Sequence, residues 1–385
     1  MKQLTERLIT LDLPVGQSCF FWGARKTGKS TYLKKHYPDA LYINLLESEV
    51  YQFYLAQPHL IRDTVKAHPN TQCIILDEVQ KVPLLLDEVH HLIETYETKN
   101  FILCGSSARR LKATGSNLLG GRAWRFLLSP FCYPEIKHGG WSWNKIFNQG
   151  LIPAHYLSDV PVQKSLSAYL YDYILPEVQF EANLRKRDSF ARFMDVLAFC
   201  HGEMLNYSNI ARDCGVDAKT IRTYFEILED MYLGYYVHPF QSRTHRQTVN
   251  QHPKFYLFDT GLANYLRRYD FKGMYGAEAG KSFEHYVFLE LMAHKNLRDK
   301  RDNIFYWRTK DGHEVDFIFE DKAIEVKISV PISKSHLKGL LKFSADHPTY
   351  SLHVISMEPS KRMIHMDNKE ITIWPIQEFL EVFWA

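Results

Sequence analysis

Between residues 18 and 104, the apolar positions follow two alternating patterns. Short, nearly unbroken apolar runs stand at 18–22, 41–45, 73–76 and 101–104. Between them, residues 31–36, about 47–66 and about 84–95 have helix-compatible composition and spacing. A strand buried on both faces has no polar side to show, so it reads as a continuous apolar run. The pattern therefore predicts a βαβ series building a parallel sheet covered by helices on both faces.

The pattern changes downstream. Residues 130–143 carry Pro, Gly and Trp without clear periodicity, and an aromatic, helical segment follows near 166–174, which reads as a connector or lid. From 188 the periodicity is helical again, over 188–200, then 208–214 closed by Gly215, then 218–228 capped by Asp217. Ser208 is the expected cap of the middle helix. Helix, glycine turn, helix is a helix-turn-helix signature, and strands expected at 232–238 and 255–258 would form its wing. After an expected helix at 282–295, residues 314–319 and 323–328 alternate as two strands joined by a tight turn. The division expected is 1–130 for the parallel-sheet unit, 131–187 for the connector, 188–271 for the winged helix-turn-helix and 272–385 for an α/β unit.

Composition adds limits. A chain of 385 residues with 45% hydrophobic and 24% charged residues is globular and large enough for two or three cores. A net charge of +3 excludes a global basic field, so contact with nucleic acid would need a local patch. Six scattered cysteines without a C-x-x-C pair suit free thiols in a reducing compartment. Glu6 and Asp12 interrupt the apolar pattern at the N-terminus, and no apolar run reaches membrane-spanning length. A cytoplasmic protein without membrane contact is expected.

The strongest chemical signal is Gly23-Ala24-Arg25-Lys26-Thr27-Gly28-Lys29-Ser30, a G-x-x-x-x-G-K-S phosphate-binding loop lying between an expected strand and an expected helix that includes Thr31. Its glycines let backbone N–H groups wrap a polyphosphate at a helix N-terminus. Lys29 is expected on the β- and γ-phosphates of ATP and the Ser30 hydroxyl on Mg²⁺. Asp77-Glu78 ends the apolar strand at 73–76, where Asp77 would hold Mg²⁺ through water and Glu78 would polarise the attacking water. Gly105-Ser106-Ser107 ends the next strand, and Ser106 is read either as a γ-phosphate sensor or as a plain turn and cap. Arg122 and Arg125 are candidates to neutralise transition-state charge in cis or in trans, against the alternative of solvated ion pairs.

Further along, Lys219 and Arg222, with Thr220 and Thr223, stand near the start of the second helix of the helix-turn-helix, where base edges or phosphates would lie. Arg243, Arg246 and Lys254 make the expected wing basic, so DNA is a candidate partner, with a protein-contact role as the alternative. In the last unit a two-residue hairpin loop would set Asp316 opposite Glu325, with Lys327 on the same face. Facing carboxylates are unfavourable without a proton or cation between them, which suggests a second divalent metal, with Glu284 in the first turn of the preceding helix as a third ligand. Acid-x-Lys also occurs at Glu97-Thr98-Lys99 and Asp367-Asn368-Lys369, so the hairpin placement carries the signal. Glu284, Asp316 and Glu325-x-Lys327 together resemble the PD-(D/E)xK nuclease core.

The order Gly-x-Arg-x-x-Gly-Lys-Ser, Leu-Asp-Glu-Val-Gln-Lys-Val-Pro at 76–83, Cys-Gly-Ser-Ser-Ala at 104–108 and then Gly-Gly-Arg resembles a family of bacterial and archaeal AAA+-type P-loop ATPases over nearly the whole chain. Cys104 stands where that pattern has Thr. The resemblance implies an AAA+-type parallel-sheet domain, then an α-rich winged-helix region and an α/β PD-(D/E)xK nuclease-like domain. It also implies ATPase activity and leaves room for a homo-oligomer. Two functions are open: an ATPase that controls a metal-dependent deoxyribonuclease, or a nucleotide-dependent regulatory module whose nuclease-like domain only binds a partner.

Overall fold

The structure is a computed structural model that describes residues 5–113, 119–181, 187–241 and 252–385. Five parallel strands open it: β1 (Ser18–Trp22), β2 (Leu41–Asn44), β3 (Cys73–Asp77), β4 (Asn100–Gly105) and β5 (Ala123–Leu127), in the order β2-β3-β4-β1-β5. All five residues of β1 are buried, and its two faces feed different cores. Phe20 and Trp22 pack with Ile74, Leu76, Phe101 and Leu103 under the helices Leu60–Ala67 and Leu85–Thr95. Cys19 and Phe21 pack with Ile75, Ile102 and Cys104 under the helix Lys29–His36. That is the two-sided burial expected of unbroken apolar strands in a parallel sheet.

The single helix expected over 47–66 is two, Ser48–Ala56 and Leu60–Ala67. Pro58 explains the break: its ring disfavours helical backbone at the preceding residue, and Gln57 sits at φ −140°, ψ 77°.

In the expected connector, residues 166–174 are helical as expected, and the stretch expected to be irregular, 130–143, includes the short helix Tyr133–Ile136. The short helices here belong to two different cores. Phe131, Tyr133, Ile136, Ile146 and Phe147 pack against the long helix Gly276–Leu297. Leu166, Tyr169, Leu170, Ile174 and Val178 pack with the helix-turn-helix. The helix Val162–Ala168 continues through a π-helical turn, Tyr169–Ile174, into Leu175–Glu181.

The helix-turn-helix consists of Tyr207–Cys214 and Ala218–Asp230 behind the helix Arg187–Cys200. Its first helix is capped by Asn206, whose side chain accepts from Asn209 N, and not by Ser208, which lies inside the helix. Gly215 closes it at φ +68°, a conformation that glycine adopts without a Cβ penalty. Asp217 caps the second helix, accepting from Thr220 N at 2.8 Å.

The strands expected to form a wing, β6 (Gly234–Pro239) and β7 (Lys254–Leu257), do not stand apart. Through β6 they extend a sheet formed with β8 (Phe305–Arg308), β9 (Glu314–Phe319), β10 (Lys322–Lys327), β11 (Ser351–Ser356), β12 (Arg362–Met366) and β13 (Lys369–Pro375), in the order β12-β13-β11-β10-β9-β8-β6-β7. His238 pairs with Phe305 across the boundary expected at 271/272. Glu284 lies in the third turn of Gly276–Leu297, not its first, because the helix begins before the expected start at 282.

Candidate functional site

The C-terminal ends of β1 and β3 lie two strands apart, and both turns built there bend the backbone sharply. Gly23 takes φ +155°, where a Cβ would lie 2.6 Å from Leu128 O, so only glycine fits that approach. Lys26 and Gly28 also have positive φ, and Gly28 leads into Lys29–His36, a helix with no acidic residue in its first turn. Its N-terminus is left to an anion. Arg7 holds the loop from outside, donating to Thr27 O (2.6 Å), Ser129 O (2.6 Å) and Glu135 Oε1 (2.9 Å). Lys29 Nζ donates to Gly23 O (2.7 Å) and Ala24 O (3.1 Å). Thr27 Oγ1 donates to Ala24 O, while Thr31 is exposed on the helix.

Ser30 Oγ donates to Asp77 Oδ2 at 2.7 Å, and the Tyr42 hydroxyl donates to the same oxygen at 2.5 Å. Asp77 Oδ1 is buried without a hydrogen-bond partner. A buried carboxylate oxygen left unpaired is costly, so it calls for a cation or water beside it. Ser30 and Asp77 thus fit Mg²⁺ next to a bound polyphosphate. Burial and the Asp77 carboxylate together push the Tyr42 hydroxyl upward, keeping it a donor.

Glu78 follows at φ +61°, a left-handed conformation unusual for a glutamate. Its Oε2 accepts from Gln80 Nε2 (2.6 Å) and from Ser106 Oγ (3.3 Å), and Gln80 Nε2 also reaches Ser106 Oγ (3.0 Å). Arg25 Nη2 lies 3.6 Å from Glu78 Oε2 and 3.1 Å from Glu177 Oε1, which comes from the Leu175–Glu181 helix. Ser106 Oγ also reaches Glu177 Oε1 at 3.2 Å. Tyr169 donates its hydroxyl to Arg25 O (2.9 Å), Lys26 Nζ stands 5.3 Å from the Tyr169 ring centre, and Tyr173 lies under the Arg25 guanidinium at 4.8 Å. Burial raises the Glu177 carboxyl, and Arg25 pulls it back down.

Glu177, Tyr169, Tyr173, Tyr42, Gln80 and Arg7 were not among the residues expected at this site. Gln80 alone had a local signal, two positions after Glu78. Arg122 is not brought here. It precedes Ala123, which pairs with Ser18 at the opposite end of β1, about 13 Å of strand away. Its guanidinium pairs with Glu94 at 2.5 Å. Arg125 lines a cleft with Trp22, Lys112, Asp230 and Tyr232.

A second cluster lines a cavity of about 260 Å³ where β7, β9, β10 and the long helix meet. The β9–β10 loop is Glu320–Asp321, and the register Ile324↔Phe317 continues to set Glu325 level with Asp316. Asp316 Oδ2 accepts from Val326 N (2.7 Å), and Lys327 Nζ lies 2.6 Å from Glu325 Oε1 and 3.4 Å from Asp316 Oδ2. Glu325 Oε2 is buried without a partner. Burial, then the facing Asp316, raises the Glu325 carboxyl, while the two carboxylates outweigh burial and hold the Lys327 ammonium charged.

Glu284 lines the same cavity but is held otherwise. Its Oε1 accepts from the Tyr256 hydroxyl at 2.5 Å and lies 3.8 Å from Lys254 Nζ, which itself pairs with Glu314 Oε1 at 2.6 Å. Among the described residues, no group of three His, Cys, Asp or Glu side chains is arranged to hold a metal ion. Glu284, Asp316 and Glu325 line one cavity, with the Glu284 carboxylate engaged by Tyr256 and Lys254. Lys254, expected on a DNA-facing wing, is buried in this cavity instead.

Lys219 and Arg222 are exposed at the start of the second helix of the helix-turn-helix, Arg222 lying 5.0 Å from the Tyr207 ring centre. The far end of that helix is docked on the parallel-sheet unit, where Asp230 pairs with Arg109 (3.1 Å) and Lys112 (2.6 Å). Arg243 and Arg246 lie outside the described residues. No helix among the described residues is long and apolar enough to cross a membrane.

Comparison with known proteins assigns residues 16–137 to an AAA domain. Residues 141–272 match one domain of unknown function (DUF8612) and residues 279–379 another (DUF4143). Two uncharacterized proteins, from Mycobacterium bovis and Mycobacterium tuberculosis, are each 25% identical over 308 residues, 77% of this chain. The chain spans 66% of the length of these relatives. Among solved structures, the Walker-type ATPase of Pyrococcus abyssi is 17% identical at a TM-score of 0.40, covering 65% of this chain and 91% of that one. AMPPCP-bound DnaA from Aquifex aeolicus is 14% identical at a TM-score of 0.26, covering 58% and 84%. The chain carries an AAA-type P-loop ATPase domain.

Proposed function

We propose that the chain hydrolyses ATP at the ends of β1 and β3, and that this cycle governs a DNA-directed, metal-dependent phosphodiesterase site in the cavity around Asp316, Glu325 and Lys327. The observation that carries the nucleotide half is Asp77. One of its oxygens is fixed by Ser30 and Tyr42, while the other is buried and unpartnered beside the loop. Ser30 and Asp77 would hold Mg²⁺, which neutralises charge on the β- and γ-phosphate oxygens. Residues 23–30 hold the triphosphate through backbone N–H groups, and Lys29 leaves its two loop carbonyls for the phosphate oxygens. Glu78 accepts the hydrogen bond of the water aligned on the γ-phosphorus, oriented by Gln80 and Ser106. Water adds to phosphorus as the bond to the bridging oxygen breaks, giving ADP and phosphate.

In the C-terminal cavity, the unpartnered Oε2 of Glu325 beside Asp316 fits one divalent cation in part, with Lys327 placed for a phosphate oxygen. DNA would approach along the exposed face of Lys219 and Arg222. A specific observation favours a second reading, a nucleotide-governed binding module without cleavage. The buried Lys254 ammonium neutralises Glu314 and faces Glu284, and the second helix of the helix-turn-helix is partly occupied by the ATPase domain.

The test uses the purified chain with plasmid and single-stranded DNA, Mg²⁺ or Mn²⁺, with and without ATP, beside Lys29→Ala and Glu325→Gln. Lys29→Ala is expected to weaken ATP binding at least about 100-fold, and normal affinity in that variant would remove the nucleotide assignment. Cleavage lost in Glu325→Gln and responsive to ATP is the outcome expected of the first reading. ATP hydrolysis without cleavage selects the second.

A further inference from the structure

The least explained group at the nucleotide site is a carboxylate that does not belong to the ATPase domain. Glu177 has a side chain only 9% exposed, and it reaches 3.1 Å from Arg25 Nη2 and 3.2 Å from Ser106 Oγ. It thereby sets a second carboxylate beside Glu78 at the place where more negative charge has to enter. The pair is not saturated either, since Glu177 Oε2 and Arg25 Nε are both buried without hydrogen-bond partners. Each unmet hydrogen bond in such a buried network is a cost that a change of partners can relieve. Ser106 Oγ has one proton and two carboxylate acceptors in reach, Glu78 at 3.3 Å and Glu177 at 3.2 Å.

We propose that Glu177 is the specificity-determining residue by which this site distinguishes ATP from ADP, through competition with the γ-phosphate for the Arg25 guanidinium. The proposal rests on the ATPase reading and extends it. Arg25 belongs to the phosphate loop and can turn toward a γ-phosphate oxygen, which a guanidinium binds in preference to a single carboxylate oxygen. Glu177 is then left buried, without its counter-ion, beside Glu78 and the phosphate. That arrangement is strongly unfavourable, so the segment carrying it withdraws. The π-helical turn Tyr169–Ile174 lies directly before Glu177 and holds both aromatic contacts to Arg25, through Tyr169 and Tyr173. ADP has no γ-phosphate and leaves the Arg25–Glu177 pair in place. Arg25 and Glu177 are positioning groups here, and the step is an exchange of ion-pair partners in which no covalent bond changes.

Two measurements test this on the full chain. Hydrogen exchange of the unaltered protein is followed over residues 162–181 with a non-hydrolysable ATP analogue or with ADP. Faster exchange with the analogue alone is expected, and equal exchange with both ligands overturns the proposal. Calorimetric titration of Glu177→Gln is the second. Because the γ-phosphate no longer has to displace a carboxylate, the analogue should bind about tenfold more tightly than in the unaltered protein, with ADP affinity unchanged. A general loosening of the helix would move both affinities together, and that result, or no change in either, would overturn the assignment of Glu177. If the unaltered protein binds neither nucleotide, the ATPase reading itself fails. If it binds both with equal exchange, only Glu177 does.

Discussion

At the scale of single residues, Glu78 is tightly held. Its left-handed backbone and its two donors, Gln80 and Ser106, hold one carboxylate oxygen in a fixed direction. An isosteric amide keeps the shape and loses the charge that orients water. Glu78→Gln is therefore expected to bind ATP within a few-fold of the unaltered protein while turnover falls about 100-fold or more, read from kcat and from equilibrium binding. Equal loss of both would show that Glu78 supports the loop instead. Asp77-Glu78 and the loop at 23–30 were legible because each is contiguous and its chemistry depends on local backbone. Glu177 was not, because it stands 71 positions from Ser106 and no local pattern marks it.

At the scale of elements, one buried carboxylate joins two distant pieces of chain. Asp259 caps Thr260–Leu266 through Leu262 N (2.8 Å) and also accepts from Leu151 N (2.5 Å) and Ile152 N (3.1 Å). Gly150 has to be glycine beside it, since a Cβ there would lie 2.2 Å from Asp259 Oδ1. Asp259→Ala removes the cap and leaves buried N–H groups unpaired, so a loss of about 3 kcal/mol is expected in urea unfolding. Asp259→Asn should recover part of it. The helix-turn-helix was readable from Gly215 and Asp217, both local turn chemistry. The cap at Asn206 was misplaced by two residues because Ser208 is an equally good cap by type, and only the backbone shows which one precedes the first turn.

At the scale of the whole molecule, Glu290 ties the segment at Tyr133 to the C-terminal helix at Trp384. It is buried in the long helix and accepts from Tyr133 N (2.9 Å) and Trp384 Nε1 (2.9 Å). Burial pushes its carboxyl up to about 8 from an ordinary 4.5. In the unfolded chain it ionises near its ordinary value, so between pH 4.5 and about 8 the folded protein holds the extra proton. Its contribution is complete below 4.5 and is lost as pH rises through that window. Asp259, raised to about 6 by burial, acts in the same direction over the lower part. The buried imidazoles of His155, His201, His285, His294 and His353, all lowered by burial, act in the opposite sense below their ordinary 6.5. The fall due to Glu290 is therefore read between about pH 7 and 8, where thermal midpoints should drop with pH and Glu290→Gln should flatten the slope. An unchanged slope in the variant would rule Glu290 out as its source.

What the sequence determined by itself was whatever depends on neighbours in the chain. The strand–loop–helix at 18–36 follows from an apolar run, two glycines and Lys29-Ser30, the Asp316–Glu325 opposition from a two-residue turn, and the helix-turn-helix from a glycine and a cap. Tertiary structure alone decided which of these pieces share a site. It placed Glu177 against Arg25, carried Lys254 into the cavity of Glu314 and Glu284, kept Arg122 at the end of β1 opposite the loop, and joined β6 to the C-terminal sheet through His238 and Phe305. The reason is physical. Periodicity and turn chemistry are set over a few residues, whereas ion pairs and sheet edges between distant segments are chosen by packing and by the need to neutralise buried charge.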